Sequence, residues 1–90
     1  MSVIVRVLAS ADGGPNPHAG RYVLSWDPHT RFGTLAVTST DDPRAARLFA
    51  DAGQVHREWR MISKAQPWRP NDRKPNRPLT GITVEIEPAP

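Results

Sequence analysis

Four stretches of the chain alternate apolar and polar residues in the way that half-buried β-strands do. They cover residues 3–8, 21–26, 34–40 and 79–87. In the second stretch the alternation would place Tyr22, Leu24 and Trp26 on one face. The fourth stretch alternates most regularly, and its inward positions are Ile82, Val84 and Ile86. The pattern therefore predicts four strands.

The second and third strands are expected to form an antiparallel hairpin. The residues between them, 27–33, begin with Asp27-Pro28, a common turn opening, and end with Gly33, which suits a positive φ. In the third strand Leu35 and Val37 would point inward. A loop of about seven residues joins strands that are neighbours in sequence, and such strands usually pair.

Residues 41–53 carry the signals of a first helix. Asp41 or Asp42 can cap its N-terminus. Pro43 suits the first helical position, because a backbone N–H there has no intrahelical acceptor and its absence in proline costs nothing. An apolar stripe follows at helical spacing, formed by Ala45, Leu48, Phe49 and Ala52. Gly53 is expected to end or bend this helix.

Residues 54–62 predict a second helix, with Val55, Trp59 and Ile62 on one face. The order of elements is then β-β-β-α-α-β, without an internal repeat. A helix pair packed on one face of a sheet buries the apolar side of both. We therefore expect the α+β class, with a small antiparallel or mixed sheet of about four strands and the helix pair on one face.

The composition favours a single domain that spans residues 1–90. A chain of 90 residues, 38% of them hydrophobic, can bury one core with a thin margin of stability. The absence of cysteine excludes disulfides and thiolate metal sites. Stability must then rest on packing or on association, and exposed edge strands would allow a homodimer.

No apolar run approaches the roughly 20 residues that a membrane-spanning helix needs. The first residues also lack the basic and apolar regions of a signal peptide. We therefore expect a soluble, cytoplasmic protein without a membrane partner.

Signals of catalysis are weak along the whole chain. The histidines do not stand at the spacing of metal ligands, and the serines lie outside nucleophile motifs. The histidines are His18, His29 and His56, and the serines include Ser25, Ser39 and Ser63. We expect a protein that is not an enzyme and that uses neither a cofactor nor a metal ion.

The basic residues are concentrated in one part of the chain. Residues 57–77 hold seven of the twelve and only two acidic residues, which gives +5 for this segment and −2 for the rest of a chain at +3. Such a segment favours anionic partners. The candidate binding residues are the basic residues of this segment and its tryptophan: Arg57, Arg60, Lys64, Trp68, Arg69, Arg73, Lys74 and Arg77.

Within that set, Arg57, Arg60 and Lys64 stand at i, i+3 and i+7, so on a helix they would line one exposed stripe. Residues 63–78 then form a strap rich in proline and arginine, which is too proline-rich for a helix or a sheet interior. A cationic stripe that includes an aromatic ring is typical of proteins that bind single-stranded nucleic acid. A solvated basic surface would carry the same charges without a partner.

Trp68 leaves several interpretations of the strap open. Its ring could fold back over the core as a lid, or it could be exposed as a stacking platform or an anchor at a protein interface. The two P-x-x-P sequences of the strap also favour polyproline II, which modular partners bind. A stiff connector between the second helix and the last strand accounts for the prolines as well.

Five stretches follow one another along the chain: "ADGGPNP", "GRYVLSWDP", "TSTDDPRAARLF", "EWR" and "RPNDRKPNRPLTGITVEIEP". This order of motifs resembles that of small proteins encoded by phages and prophages of high-GC bacteria. The five stretches span nearly the whole chain, and the K-P-N-R-P-L-T block is the most specific of them. The group brings no catalytic or cofactor residues.

What the resemblance implies is an accessory protein that acts inside a bacterium by binding. Its partner would be a bacterial host protein or complex, and the protein could inhibit a host defence complex in the manner of anti-CRISPR proteins. DNA or RNA, held by the basic helix and the strap, is the alternative partner. Inhibitors that mimic DNA are usually strongly acidic, so a chain at +3 would act on a protein surface or on the path of the nucleic acid.

Overall fold

The structure is a computed structural model that describes residues 1–30 and 36–90. Its elements are β1 (Val3–Ser10), β2 (Tyr22–Trp26), β3 (Val37–Thr40), α1 (Ala52–Trp59), a 3-10 helix (Pro78–Gly81) and β4 (Ile82–Pro88). The described residues form a four-stranded antiparallel sheet and one α-helix. The predicted α+β class is confirmed, whereas the helix pair is not found.

The strands lie in the order β3-β2-β1-β4, so β3 and β4 are the edges of the sheet. β1 pairs with β4 over their whole length, from Val3 opposite Pro88 to Ser10 opposite Ile82. The core consists of apolar side chains from the sheet, from α1 and from two connecting segments. Its buried members include Val5, Val7, Val23, Trp26, Phe49, Val55, Leu79 and Ile82.

A bulge on β2 changes which of its side chains face the core. The pairing of β2 with β3 shifts between Val23 and Ser25, so Val23 and Trp26 are both buried while Leu24 is 41% exposed. The prediction that Tyr22, Leu24 and Trp26 share one face is therefore wrong. An extra residue in a strand resets the alternation of side chains beyond it, and the sequence pattern does not reveal where that residue lies.

The first predicted helix is a turn in the structure. The Asp42 side chain accepts the N–H of Arg44 at 2.9 Å, and the Asp42 carbonyl accepts the N–H of Ala45 at 3.0 Å. An Asp-Pro pair begins either a helix or a turn, because the aspartate oxygen can cap both. Here the turn is not continued as a helix.

Residues 47–49, which we call the bridging segment, instead run in extended form beside two strands. The N–H of Arg47 donates to the carbonyl of Val23 on β2 at 2.9 Å, and Phe49 exchanges two hydrogen bonds of 2.9 Å with Val3 on β1. Phe49 is buried and Leu48 is 61% exposed, which is the alternation of a strand. Hydrogen bonds to the sheet have therefore replaced the helix that the local pattern favours.

α1 corresponds to the second predicted helix, but it covers Ala52–Trp59 instead of residues 54–62. Asp51 is its N-cap and accepts the N–H of Gln54 at 2.8 Å, so Gly53 lies in the first turn instead of ending a helix. The helix ends at Trp59, and Ile62 beyond it is 40% exposed. No helix in the described part of the chain is long and apolar enough to cross a membrane.

β2 ends at Trp26 as predicted, and β3 is described from Val37 onward. The antiparallel pairing of these strands is as predicted, and Val37 is buried. The predictions for Gly33 and Leu35 fall outside the described residues.

Candidate binding surface

The strap contains a small hairpin, residues 67–76, which we call the arm. Trp68 and Pro75 face each other as an antiparallel pair, and the N–H of Asn76 donates to the carbonyl of Pro67 at 2.8 Å. Nearer the tip, the N–H of Arg69 donates to the carbonyl of Lys74 at 2.8 Å. The strap is therefore not a polyproline II segment or a plain connector over these residues, because its backbone folds back on itself.

The tip of the arm turns within four residues. The carbonyl of Arg69 accepts the N–H of Arg73 at 3.0 Å, and the Asp72 side chain accepts the N–H of Lys74 at 3.1 Å. Pro70 suits the first turn position because its ring fixes φ. Arg73 has a φ of 56°, which lies in the left-handed region that residues other than Gly and Asn rarely adopt. The turn thus keeps a cation at a position where glycine would be easier to accommodate.

Hydrogen bonds also fix the base of the arm to the rest of the protein. Ser63 is fully buried; its N–H donates to the carbonyl of Asn76 at 2.8 Å, and its hydroxyl accepts the N–H of Gln66 at 3.2 Å. The Arg77 guanidinium donates to the carbonyl of Arg60, just after α1, at 2.9 Å. The position of the arm is therefore set by contacts at its base.

Trp68 stands on this arm with 62% of its surface exposed. The indole borders a shallow depression that Arg69, Pro70 and Arg73 complete. The lid interpretation is wrong, because a ring that covered the core would be buried. Large aromatic side chains are commonly buried in whole or in part, so this exposure marks the arm as a candidate surface for a partner.

The basic residues of the candidate set are exposed in two different parts of the structure. Arg69, Arg73 and Lys74 are exposed on the arm, and Arg57, Arg60, Lys64 and Arg77 are exposed at or beyond the end of α1. The predicted helical stripe through Lys64 is wrong, since the helix stops at Trp59. One arm charge is partly neutralised, because Asp72 lies 3.6 Å from the Arg69 guanidinium.

We expect Arg73→Gly to raise the free energy of unfolding by up to about 1 kcal/mol, because glycine adopts a positive φ without the steric penalty of a side chain. Urea denaturation measures the change. Lys74→Gly is the matched control, since it removes the same charge but introduces glycine at a position without a positive φ. It should lower the stability instead, and two variants with equal stability would contradict the strained turn.

A second cluster of polar side chains joins residues that are distant in sequence. His18 Nδ1 lies 2.6 Å from the Ser39 hydroxyl, which also accepts a hydrogen bond of 2.9 Å from Arg21 Nε. A second guanidinium nitrogen of Arg21 pairs with Asp41 at 2.6 Å. Because Arg21 already donates to the Ser39 oxygen, the geometry suits a tie between the β1–β2 loop and β3 better than a nucleophile. No spacing in the sequence indicates this cluster.

A third cluster surrounds the Glu58 carboxylate on α1. It accepts hydrogen bonds from Trp26 Nε1 at 3.1 Å, from two Arg47 nitrogens at 2.9 and 3.0 Å, and from Gln54 Nε2 at 2.9 Å. Partial burial by itself would raise the pKa of Glu58, but the hydrogen bonds from Trp26, Arg47 and Gln54 outweigh it and lower the pKa below its ordinary value. The cluster ties α1 to β2 and to the bridging segment, so its role is structural.

Among residues 1–30 and 36–90, no group of three or more histidine, aspartate or glutamate side chains could hold a metal ion. The comparisons of the chain with family models, with curated proteins and with solved structures find no match. The surface around Trp68 must therefore be interpreted from its own geometry.

Proposed function

We propose that the protein is a non-catalytic binding module whose arm contacts a bacterial macromolecular partner. In line with the resemblance to phage and prophage proteins, the partner would be a host protein or complex, and binding would inhibit it, as anti-CRISPR proteins inhibit a defence complex. The observation that carries the proposal is the exposure of Trp68 on a hairpin that hydrogen bonds fix at its tip and at its base.

An exposed tryptophan on a fixed backbone is well suited to anchor a partner. The indole can bury about 200 Å² at an interface, and little backbone freedom is lost on binding because the hairpin is already ordered. Arg69 and Arg73 beside it supply donors for carboxylates or phosphates on the partner. Tryptophan and arginine are the residue types that most often dominate the energy of protein interfaces.

Trp68→Ala should weaken partner binding at least about tenfold while leaving the fold intact. Tagged wild-type and variant proteins are used to recover partners from a nuclease-treated bacterial lysate, and the recovered proteins are quantified by mass spectrometry. Leu48→Ala is the matched control, because Leu48 is also a large apolar side chain, is 61% exposed and belongs to the bridging segment and not to the arm. A partner recovered equally by wild type and Trp68→Ala would not bind through the arm, and the proposal would then fail.

Single-stranded nucleic acid is the second candidate partner, favoured by the position of Trp68 beside Arg69 and Arg73. A base can stack on the indole while the guanidinium groups contact phosphates. With three phosphate contacts from the arm cations, the logarithm of the affinity for a labelled oligothymidylate should fall with the logarithm of salt concentration at a slope of about −2.

Fluorescence anisotropy at several salt concentrations measures this slope. Arg73→Gly should make it shallower by about 0.7, because one phosphate contact is lost while the hairpin is kept. If the oligonucleotide does not bind at low salt, nucleic acid is not the partner, and the protein partner remains as the proposal.

A further inference from the structure

β4 forms an open edge of the sheet, and the hydrogen-bond ladder determines which of its peptide groups point outward. The N–H of Ala89 donates to the carbonyl of Ser2. The N–H and the carbonyl of Val3 both form hydrogen bonds with Phe49 and therefore point away from β4. In an antiparallel pair, bonded and non-bonded residues alternate. With the observed register, Glu85 and Glu87 bond to β1, while the peptide groups of residues 84 and 86 point to the open edge.

The two ends of this edge are closed. At one end, the N–H of Ile82 donates to the carbonyl of Leu79, and the carbonyl of Ile82 accepts Trp59 Nε1 at 3.1 Å. At the other end, Pro88 has no N–H to offer. Between them, the outward N–H and carbonyl groups of Val84 and Ile86 have no backbone partner among the described residues. These four groups form a short unpaired window.

An apolar groove runs beside the window, between β4 and α1. Its lining residues are Val55, His56, Trp59, Thr83, Val84 and Ile86. Val84, Ile86 and Trp59 are only partly buried and pack at the margin of the core. A strand that paired with the window would place every second side chain over this groove, because residues directly opposite each other share a face of the sheet.

The other face of β4 is acidic. Glu85 and Glu87 share a single cation, Arg6, at 2.6 and 3.1 Å, so the pair of carboxylates keeps one net negative charge. A strand added at the window would bring its alternate side chains beside these carboxylates. Lysine or arginine at those positions is favourable, whereas a second copy of β4 paired about Glu85 would bring carboxylates together.

We propose that the β4 edge binds an extended peptide segment of a partner protein, with apolar residues facing the α1–β4 groove and basic residues alternating beside Glu85 and Glu87. The peptide adds a fifth strand and uses the four free backbone groups of Val84 and Ile86. This surface is separate from the arm and does not depend on what the arm binds.

Amide hydrogen exchange followed by NMR tests the proposal on the intact protein. In the dilute free protein, the amides of Val84 and Ile86 should exchange fast and those of Glu85 and Glu87 slowly, since only the latter bond to β1. A blocked heptapeptide that alternates lysine and valine should slow exchange at Val84 and Ile86 by about tenfold or more. The same peptide with N-methylated backbone amides should not slow it.

A pair of surface variants tests the charge pattern. Glu85→Gln removes a carboxylate from the acidic face of β4 and should weaken binding of the peptide by a factor of about five. Asp41→Asn makes the same change just after β3, at the far edge of the sheet, and should leave the affinity unchanged. Both carboxylates are exposed and each pairs with one arginine, so both variants are expected to fold.

Three results would overturn the proposal. One is protection of Val84 and Ile86 in the dilute free protein, since the window would then be closed. Another is an absence of protection at about 1 mM peptide, where even weak pairing is detectable. The third is protection that rises with protein concentration together with a dimer in sedimentation, which would assign the edge to a second copy of the chain.

Discussion

Phe49→Ala should lower the free energy of unfolding by about 4 kcal/mol, a large part of the roughly 5–13 kcal/mol expected for a domain of this size. The Phe49 side chain is buried, meets the Trp26 ring edge-on with centroids 5.3 Å apart, and lies under the Arg47 guanidinium at 4.3 Å. Alanine would leave a cavity between the bridging segment and the core. Urea denaturation monitored by circular dichroism measures the loss.

Leu48→Ala is the matched control for this prediction. Leu48 is the neighbouring residue and has a side chain of comparable apolar character, but it is 61% exposed, so its removal should change the stability by less than about 0.5 kcal/mol. Similar losses for both variants would indicate a helix with both residues on its buried stripe. They would contradict the extended bridging segment.

Glu58→Ala is the change with the second-largest expected effect, a loss of about 3 kcal/mol. The carboxylate accepts hydrogen bonds from Trp26, from Arg47 and from Gln54. Alanine would leave a partly buried guanidinium and a buried indole N–H without their acceptor. Glu85→Ala is the matched control: its ion pair with Arg6 is solvent-exposed, and its removal should have only a small fraction of that effect.

The same carboxylate makes the stability depend on pH. Because the pKa of Glu58 is lower in the folded protein than its ordinary value of 4.5, its contribution is fully present above about pH 4.5. The contribution is lost as the pH falls through the lowered pKa, where the carboxylate becomes protonated. Glu58→Gln should therefore lose less stability than the wild type between pH 5 and about pH 3. Equal losses would show that Glu58 does not carry this acid sensitivity.

The parts of the fold that the sequence predicted well are those that depend on local periodicity. In β4, Ile82 is buried and Val84 and Ile86 pack against the core, while Thr83 and Glu85 between them are exposed, as the pattern indicates. The first helix could not be predicted correctly, because Asp42-Pro43 begins a turn or a helix equally well. Hydrogen bonds from Arg47 and Phe49 to distant strands decide between the two.

For the arm, the sequence located the basic residues and Trp68 but not their arrangement. Whether Trp68 is exposed depends on the hairpin, and the hairpin depends on Ser63 and Asn76, which no motif connects. The sequence pattern does not indicate the unpaired window on β4 either. It follows from the register between β1 and β4 and from the bond of Trp59 to Ile82, and both are long-range features.

The central proposal is that the arm presents Trp68 to a partner, and fluorine NMR of protein labelled with 5-fluorotryptophan tests its premise most directly. The chain has three tryptophans, and Trp68→Phe assigns one of the resonances. We expect the Trp68 resonance to show the largest shift when H2O is replaced by D2O, and the resonance of buried Trp26 to show the smallest. A shift for Trp68 as small as that for Trp26 would place the ring in the core and contradict its exposure on the arm.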